Sequence, residues 1–209
     1  MNINELSNLQ IDAMKEIGNI GMGNATTSLS ELTGKRVQLN LSSIQKLNPS
    51  AIIQNLPESI TMTCIMHTIK GDIQGVMLNL FEISNAMVLT NLLLSETEYE
   101  YDPEMNESAL NEISNILTGS YLTSISSFLQ VNGLHSVPQT VTGSMEDILD
   151  TASRAMGHDI ENMPNLETMF MIQSIGHESG LSTLYGDVFF LIKPESLDKL
   201  IKTVDNMMT

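Results

Sequence analysis

Two segments of the chain repeat one combination of a carboxylate and an amide, three residues apart. Glu16 is followed by Asn19, and Glu112 is followed by Asn115 at the same spacing. An asparagine amide cannot act as a general base, but it can accept from and donate to a water molecule. A glutamate carboxylate can pair with a cation on another molecule. Neither pair supplies a nucleophile or a set of metal ligands, so we expect the pair to orient water at a phosphoryl group whose metal and lysine belong to a partner.

The two pairs lie within a longer repeat. Residues 12–30 align without gaps to residues 108–126 at a constant offset of 96 residues. Nine of the nineteen positions are identical, namely Ala13, Glu16, Ile17, Asn19, Ile20, Gly23, Thr27, Ser28 and Ser30. Two unrelated helices would rarely hold an ungapped register with so many matches, so the sequence indicates an internal duplication.

Both copies have the periodicity of an amphipathic helix. At 100° per residue, polar and small residues of each copy fall on one stripe, within about 60° in the first. These stripes contain Asp12, Glu16, Asn19 and Gly23 in the first copy, and Ser108, Glu112, Asn115 and Gly119 in the second. We expect the stripes to face solvent, and the apolar residues Leu9, Ala13, Ile17, Ile20, Leu110, Ile113 and Ile116 to face the core. Gly23 and Gly119 remove side-chain bulk where a partner backbone could approach.

The stripe has a simpler interpretation that must be weighed. An exposed Glu and Asn on a single helix usually serve only solubility. The presence of two copies argues against this interpretation, because exposed residues of duplicated segments diverge unless a function constrains them. The recurrence of the same two side chains at the same spacing therefore favours a functional face.

Each half of the chain has the same order of predicted elements. A long helix is followed by two or three strands and then by a terminal helix, which gives two repeats at about 1–98 and 104–209. We predict strands at 35–46, 59–70, 73–82, 133–142, 167–178 and 183–193, and terminal helices at 84–95 and 194–207. Ser84 is a candidate cap, and Gly186-Asp187-Val188 resembles the strand start at Gly71-Asp72-Ile73. An extra helix at about 144–157, with Ser144 and Asp147 as a capping box, is expected only in the second half. An acidic linker at 96–104 separates the halves.

Composition excludes several classes of function. Lys and Arg total 9 against 25 Asp and Glu, a formal charge of −16, which repels nucleic acid and anionic membranes and favours a partner with a basic patch. The single cysteine, Cys64, lies in an apolar stretch and is expected to be a buried, inert thiol. The N-terminus lacks the features of a signal peptide, and no apolar run is long enough to span a bilayer, so a cytoplasmic location is expected.

The repeated pattern resembles the active-site signature of the CheC family of chemotaxis response-regulator phosphatases, which includes FliY and CheX. That signature is Asp/Ser-x-x-x-Glu-x-x-Asn, followed by Pro after 22 intervening residues. The second copy matches it throughout, with Ser108, Glu112, Asn115 and Pro138. The first copy has Asp12, Glu16 and Asn19, but Ser42 stands at the proline position. Two complete pairs and the chain length make CheC the most similar branch, and the resemblance extends over essentially the whole chain.

The resemblance implies a fold, a reaction and partners. It implies an α+β fold in which a duplicated α-β unit with pseudo-twofold symmetry forms one continuous sheet, with both long helices on one face. Asn19 and Asn115 would position the water that attacks the aspartyl phosphate of the response regulator CheY, and Glu16 and Glu112 would pair with its lysine. The response regulator would hold Mg²⁺, so the chain needs no cofactor of its own. The deamidase CheD is implied as a further partner. A non-enzymatic adaptor and a flagellar switch component remain alternatives.

Overall fold

The chain alternates helices and strands in the same order in each half. The structure, a computed structural model, describes residues 6–57, 60–94, 103–157, 159–176 and 180–208. Its elements are α1 (Asn8–Thr33), β1 (Arg36–Lys46), α2 (Pro49–Asn55), β2 (Met62–Gly71), β3 (Gly75–Glu82), α3 (Ile83–Leu94), α4 (Pro103–Leu129), β4 (Gly133–His135), β5 (Gln139–Gly143), α5 (Met145–Met156), β6 (Pro164–Gly176), β7 (Gly180–Ile192) and α6 (Pro194–Met208). Residues 96–102 of the proposed linker lie outside the described residues.

The seven strands that the described residues form belong to one sheet with a palindromic order. The order is β1-β6-β7-β3-β2-β4, with β5 also pairing with β2, and every pairing is antiparallel. The hairpins β2–β3 and β6–β7 meet at the centre of the sheet, where β3 pairs with β7. The first strand of each half pairs with the hairpin of the other half, because β1 lies beside β6 and β4 and β5 lie beside β2. This arrangement confirms the continuous, pseudo-symmetric sheet.

Helices cover both faces of the sheet and enclose one hydrophobic core on each side. Residues of α1, α3, α4 and α6 pack with alternate sheet residues such as Ile65, Met77 and Phe190. On the opposite face, α5 packs on Cys64, Leu78 and neighbouring residues, and Ile52 and Leu56, in and after α2, lie at the edge of that core. Because side chains alternate between the faces of a strand, both cores draw on the same strands. The two long helices therefore lie together on one face, as expected.

Local capping explains where several helices begin and end. Ser7 and Gln10 form a capping box at the start of α1, and Gly34 ends this helix with a φ of 61°. The predicted capping box of Ser144 and Asp147 is confirmed at the start of α5, which ends at Gly157 with a φ of 70°. A glycine suits both ends because other residues adopt a positive φ only at a cost.

Some predictions about the elements were wrong. Ser84 lies inside α3, which begins at Ile83, so it does not cap that helix. The predicted strand 133–142 is divided into β4 and β5, because Pro138 has no N–H to donate to a ladder. Gly186-Asp187-Val188 lies within β7 rather than at its start. The first half also has a helix where only the second was expected, since α2 occupies the place that α5 occupies in the second half.

The core-facing side of α1 also differs from the prediction. Leu9 is 62% exposed and Ala13 and Ile20 are only partly buried, whereas Ile17 is buried. The residues of α1 that are buried are Met14, Ile17, Gly18, Gly21, Met22, Ala25, Leu29 and Thr33. Gly18, Gly21 and Ala25 are small and weakly hydrophobic, so a search for apolar periodicity does not identify them as core-facing residues. Their small size nevertheless permits close packing. The buried stripe is therefore rotated by roughly a third of a turn, to the side opposite Glu16 and Asn19.

Candidate functional site

The polar stripe of α1 faces solvent. Asp12, Glu16, Asn19 and Gly23 are all exposed. Among the described residues, neither Glu16 nor Asn19 has a side-chain hydrogen bond or ion pair that would hold it for a structural reason. The helix backbone therefore fixes where these side chains start, while their polar ends stay available to another molecule.

The corresponding stripe of α4 lies partly in a groove. Ser108 and Glu112 are exposed, while Asn115 and Gly119 are half-buried. A groove of about 550 Å³ runs between α1 and α4 and is lined by Asn24, Thr27, Ser28, Asn115, Ile116, Gly119, Ser120, Thr123 and Ser124. Asn115 therefore borders an open groove and is not enclosed by packing.

Two equivalent hydrogen bonds join the two long helices where they cross. Asn24 Nδ2 donates to Ser124 Oγ at 2.8 Å, and Ser120 Oγ donates to Ser28 Oγ at 3.3 Å. Positions 24 and 28 align with positions 120 and 124 in the repeat, so each bond is the pseudo-twofold image of the other. The partners run in opposite directions along the two helices, so α1 and α4 are antiparallel. At 1.5 Å per residue, Asn19 and Asn115 lie about 20 Å apart along the helix axes, on opposite sides of the crossing.

Two glycines of α1 have different surroundings. A methyl group built on Gly21 would lie 2.7 Å from Cδ2 of Tyr121, so this glycine is required for the close approach of α4. Tyr121 is fully buried and stacks edge-on against Phe190, with ring centroids 5.9 Å apart. A methyl group on Gly23 would meet nothing within 4 Å. Packing therefore explains Gly21 but gives no reason for a glycine at position 23.

The segment that contains Pro138 is held beside α4. On one side, Thr140 Oγ1 donates to Asn111 Oδ1 at 3.4 Å, next to Glu112 in sequence. On the other side, a methyl group on Gly119 would lie 3.5 Å from Nε2 of His135. Pro138 lies between these two contacts in the break between β4 and β5. In the first half, β1 is continuous but has a register shift between Leu41 and Ser43, so the backbone is irregular at the equivalent position, 42.

A histidine pair lies beside the second site and was not singled out by the sequence. The rings of His67 and His135 meet edge to face with centroids 5.2 Å apart. Burial lowers the pKa of His67, whose Nδ1 lies 3.1 Å from the carbonyl oxygen of Ser136. His135 is exposed and lies against α4 one turn beyond Asn115. Neither histidine belongs to a ligand-like spacing, so only the fold brings them together.

Other side chains provide few alternatives for chemistry. Cys64 is fully buried, and burial raises the pKa of its thiol, which confirms the expectation of an unreactive cysteine. Within the described ranges, no group of three His, Cys, Asp or Glu side chains could hold a metal ion. Over the same ranges, no helix is long and apolar enough to cross a bilayer.

Comparison with known proteins connects both site helices to one family. The model of the CheC-like family matches residues 9–40 and 105–142, which include both Glu/Asn pairs and Pro138. CheY-P phosphatase CheC of Bacillus subtilis (strain 168) is 22% identical over 202 residues, covering 94% of each protein. Flagellar motor switch phosphatase FliY of the same organism is 31% identical over 127 residues, which are 59% of this chain and 33% of FliY.

Solved structures share the fold at lower sequence identity. Thermotoga maritima FliY superposes with a TM-score of 0.70 at 20% identity, covering 97% of this chain and 98% of the chain in that structure. CheX in the CheX-CheY-BeF3-Mg²⁺ complex from Borrelia burgdorferi gives a TM-score of 0.51 at 14% identity, covering 84% of this chain and 96% of the matched chain. Middle domains of FliM have this fold too. The fold is therefore common to FliY, CheX and FliM.

Proposed function

Because the CheC-like family model matches both helices that carry the Glu/Asn pairs, we propose that the chain accelerates the hydrolysis of the aspartyl phosphate on a CheY-type response regulator. The observation that carries the proposal is the repeated Glu/Asn pair, exposed on α1 and bordering an open groove on α4. The relative named as a CheY-P phosphatase matches nearly the whole chain, and a CheX with the same fold forms a complex with CheY.

We assign the repeated side chains the following roles. Asn19 or Asn115 enters the phosphorylated pocket of the response regulator and orients a water molecule in line with the phosphorus–oxygen bond. The water oxygen bonds to phosphorus while the bond to the aspartyl oxygen breaks, which releases a free carboxylate and inorganic phosphate, and the water's proton passes to phosphate or solvent. Glu16 or Glu112 pairs with the lysine of the response regulator and fixes the approach of the helix. Mg²⁺ would be held by the response regulator.

The direct test measures phosphate release from phosphorylated response regulator. The double variant Asn19→Ala/Asn115→Ala should lose about 10²-fold or more of the added rate, because the amide acts by positioning water. Asn8→Ala is the matched control, since this exposed residue lies on the same face of α1 about three turns away. Circular dichroism should show that all variants fold. Equal rates for wild type and the double variant would refute the mechanism.

A second candidate function is a non-enzymatic adaptor or a flagellar switch component. The fold shared with FliM middle domains favours this candidate. It would hold phosphorylated response regulator on the helical faces without changing the rate of dephosphorylation. Binding with an unchanged rate would support it, and co-sedimentation with switch proteins would identify the switch role.

The proposal also includes a location and a further partner. We expect the protein to act in the cytoplasm together with its response regulator. CheD is proposed as a second partner on the strength of the family resemblance alone. Co-purification of the two proteins from a common lysate tests that interaction.

A further inference from the structure

The face of the sheet opposite α1 and α4 has an open pocket beneath α2. Its volume is about 550 Å³, within the range of sites that hold small molecules. The walls include the apolar residues Leu47, Ile52, Leu56, Met145 and Phe189. The pocket lies across the sheet from the Glu/Asn pairs, so it is not a part of the site described above.

The floor of this pocket is polar because three strands place polar side chains on the same face. Gln45 of β1 is paired with Asn165 of β6, and Glu167 lies two residues further along β6. Asp187 of β7 is a diagonal neighbour of Glu167, because Glu167 pairs directly with Phe189. Diagonal neighbours are about 7–8 Å apart, which leaves room for a ligand group between the two carboxylates.

An unsatisfied acceptor points to a missing donor in this pocket. Asn165 is only 1% exposed, and its Oδ1 has no hydrogen-bond partner. A buried polar atom of this kind is unfavourable unless another group donates to it. Gln45 Nε2 donates to Glu167 Oε2 at 3.0 Å and therefore serves another acceptor. Burial and the neighbouring carboxylate of Glu167 also raise the pKa of Asp187 to about 6.

We propose that this pocket binds a small organic cation with a guanidinium or ammonium head and an apolar body. The head would donate to Asn165 Oδ1 and pair with Asp187 and Glu167, and the body would lie against Ile52, Leu56 and Phe189. A guanidinium has several donors in one plane and can serve acceptors on separate strands at once. A bare metal ion would occupy only a small part of the volume. Lys46 also lines the pocket, so a cationic ligand must bind in the presence of one like charge.

Titration calorimetry with n-butylguanidinium tests the proposal on the full chain at pH 7.5. We expect saturable binding, at least 10-fold weaker binding to Asp187→Asn, and no change for Glu31→Gln. Glu31 is an exposed acid of α1, so its variant controls for the general loss of one negative charge. Asp187→Asn removes a charge that is unfavourable in this position, so it should fold. Lys46→Gln should bind more tightly, because it removes a like charge.

Several results would overturn the proposal. Equal binding of the neutral analogue n-butylurea would show that the charge is not recognised. Weaker binding to Lys46→Gln would show that the pocket selects an anion instead. Saturable Mg²⁺ binding that excludes n-butylguanidinium would make it a metal site. A dissociation constant of about 10 mM is the weakest that such contacts would give. If n-butylguanidinium at 10 mM releases no heat of binding, the pocket is filled only by water. The phosphatase assay is independent of all these outcomes.

Discussion

Replacing Gly23 with alanine should distinguish the requirements of the fold from those of a binding partner, because it should affect stability and activity in opposite directions. This glycine is exposed in the interior of α1, and a methyl group there would meet nothing within 4 Å. Glycine within a helix is less favourable than alanine by about 0.5–1 kcal/mol. Gly23→Ala should therefore raise the free energy of unfolding by this amount, which corresponds to roughly 1–4 °C in Tm for a chain of this size.

The same substitution should lower activity. Gly23 lies one turn beyond Asn19 on the same exposed stripe, where the proposed partner would approach. An added methyl group would keep that backbone away from α1, and a displacement of about 1 Å from the reactive geometry can reduce a rate 10²-fold. Because the second site would still act, the loss should be measured in an Asn115→Ala background, by phosphate release.

Gly21→Ala provides the matched control for stability. Its methyl group would press on the buried ring of Tyr121, and overpacking of this kind costs about 1–3 kcal/mol. The two variants should therefore shift Tm in opposite directions in the same denaturation assay. A stabilised Gly23→Ala variant with full activity would refute the argument that a partner requires the glycine. A destabilised Gly23→Ala variant would contradict the open surroundings of this position.

Three further substitutions test other parts of the molecule. Asn115→Ala should reduce phosphate release more than Asn19→Ala, because only the second site has Pro138 beside it; indistinguishable losses would count against this asymmetry. Asp187→Asn should gain stability relative to wild type as pH rises. The folded-state pKa of Asp187 is about 6, above its ordinary value of 3.8. Deprotonation of Asp187 therefore disfavours the folded state, and the wild type loses stability as pH rises from about 3.8 through about 6. The gain should grow by about 1 kcal/mol between pH 5 and pH 7.5 in urea denaturation, and a constant difference would contradict it. Ser144→Ala removes the capping box of α5 and should cost about 1 kcal/mol in the same assay, with no change in phosphate release.

The sequence predicted the elements better than their arrangement. Strand and helix positions follow from periodicity and turn residues, which are local. The pairing of β1 with β6 is not local, because the partners come from different halves and no local pattern records which strands meet. The expected core stripe of α1 was wrong because Gly21, which approaches Tyr121 closely, and the buried Ala25 are part of the core-facing side, although neither is strongly hydrophobic. His135 could not be identified beforehand, since its place beside Gly119 depends on how β4 returns to α4.

The residues that are identical in the repeat divide into those that the fold explains and those that it does not. Ile17 is buried in the core, and Ser28 accepts a hydrogen bond from α4 at the helix crossing. Because the crossing has pseudo-twofold symmetry, both copies of the repeat need a hydrogen-bonding side chain at the same position. This need explains why Ser28 and its equivalent, Ser124, are both serines. Glu16 and Asn19 are exposed and have no side-chain partner in the described part of the chain. Packing exerts no force that would keep these two residues the same as Glu112 and Asn115. The phosphatase proposal accounts for their identity, because each helix would meet the response regulator in the same way.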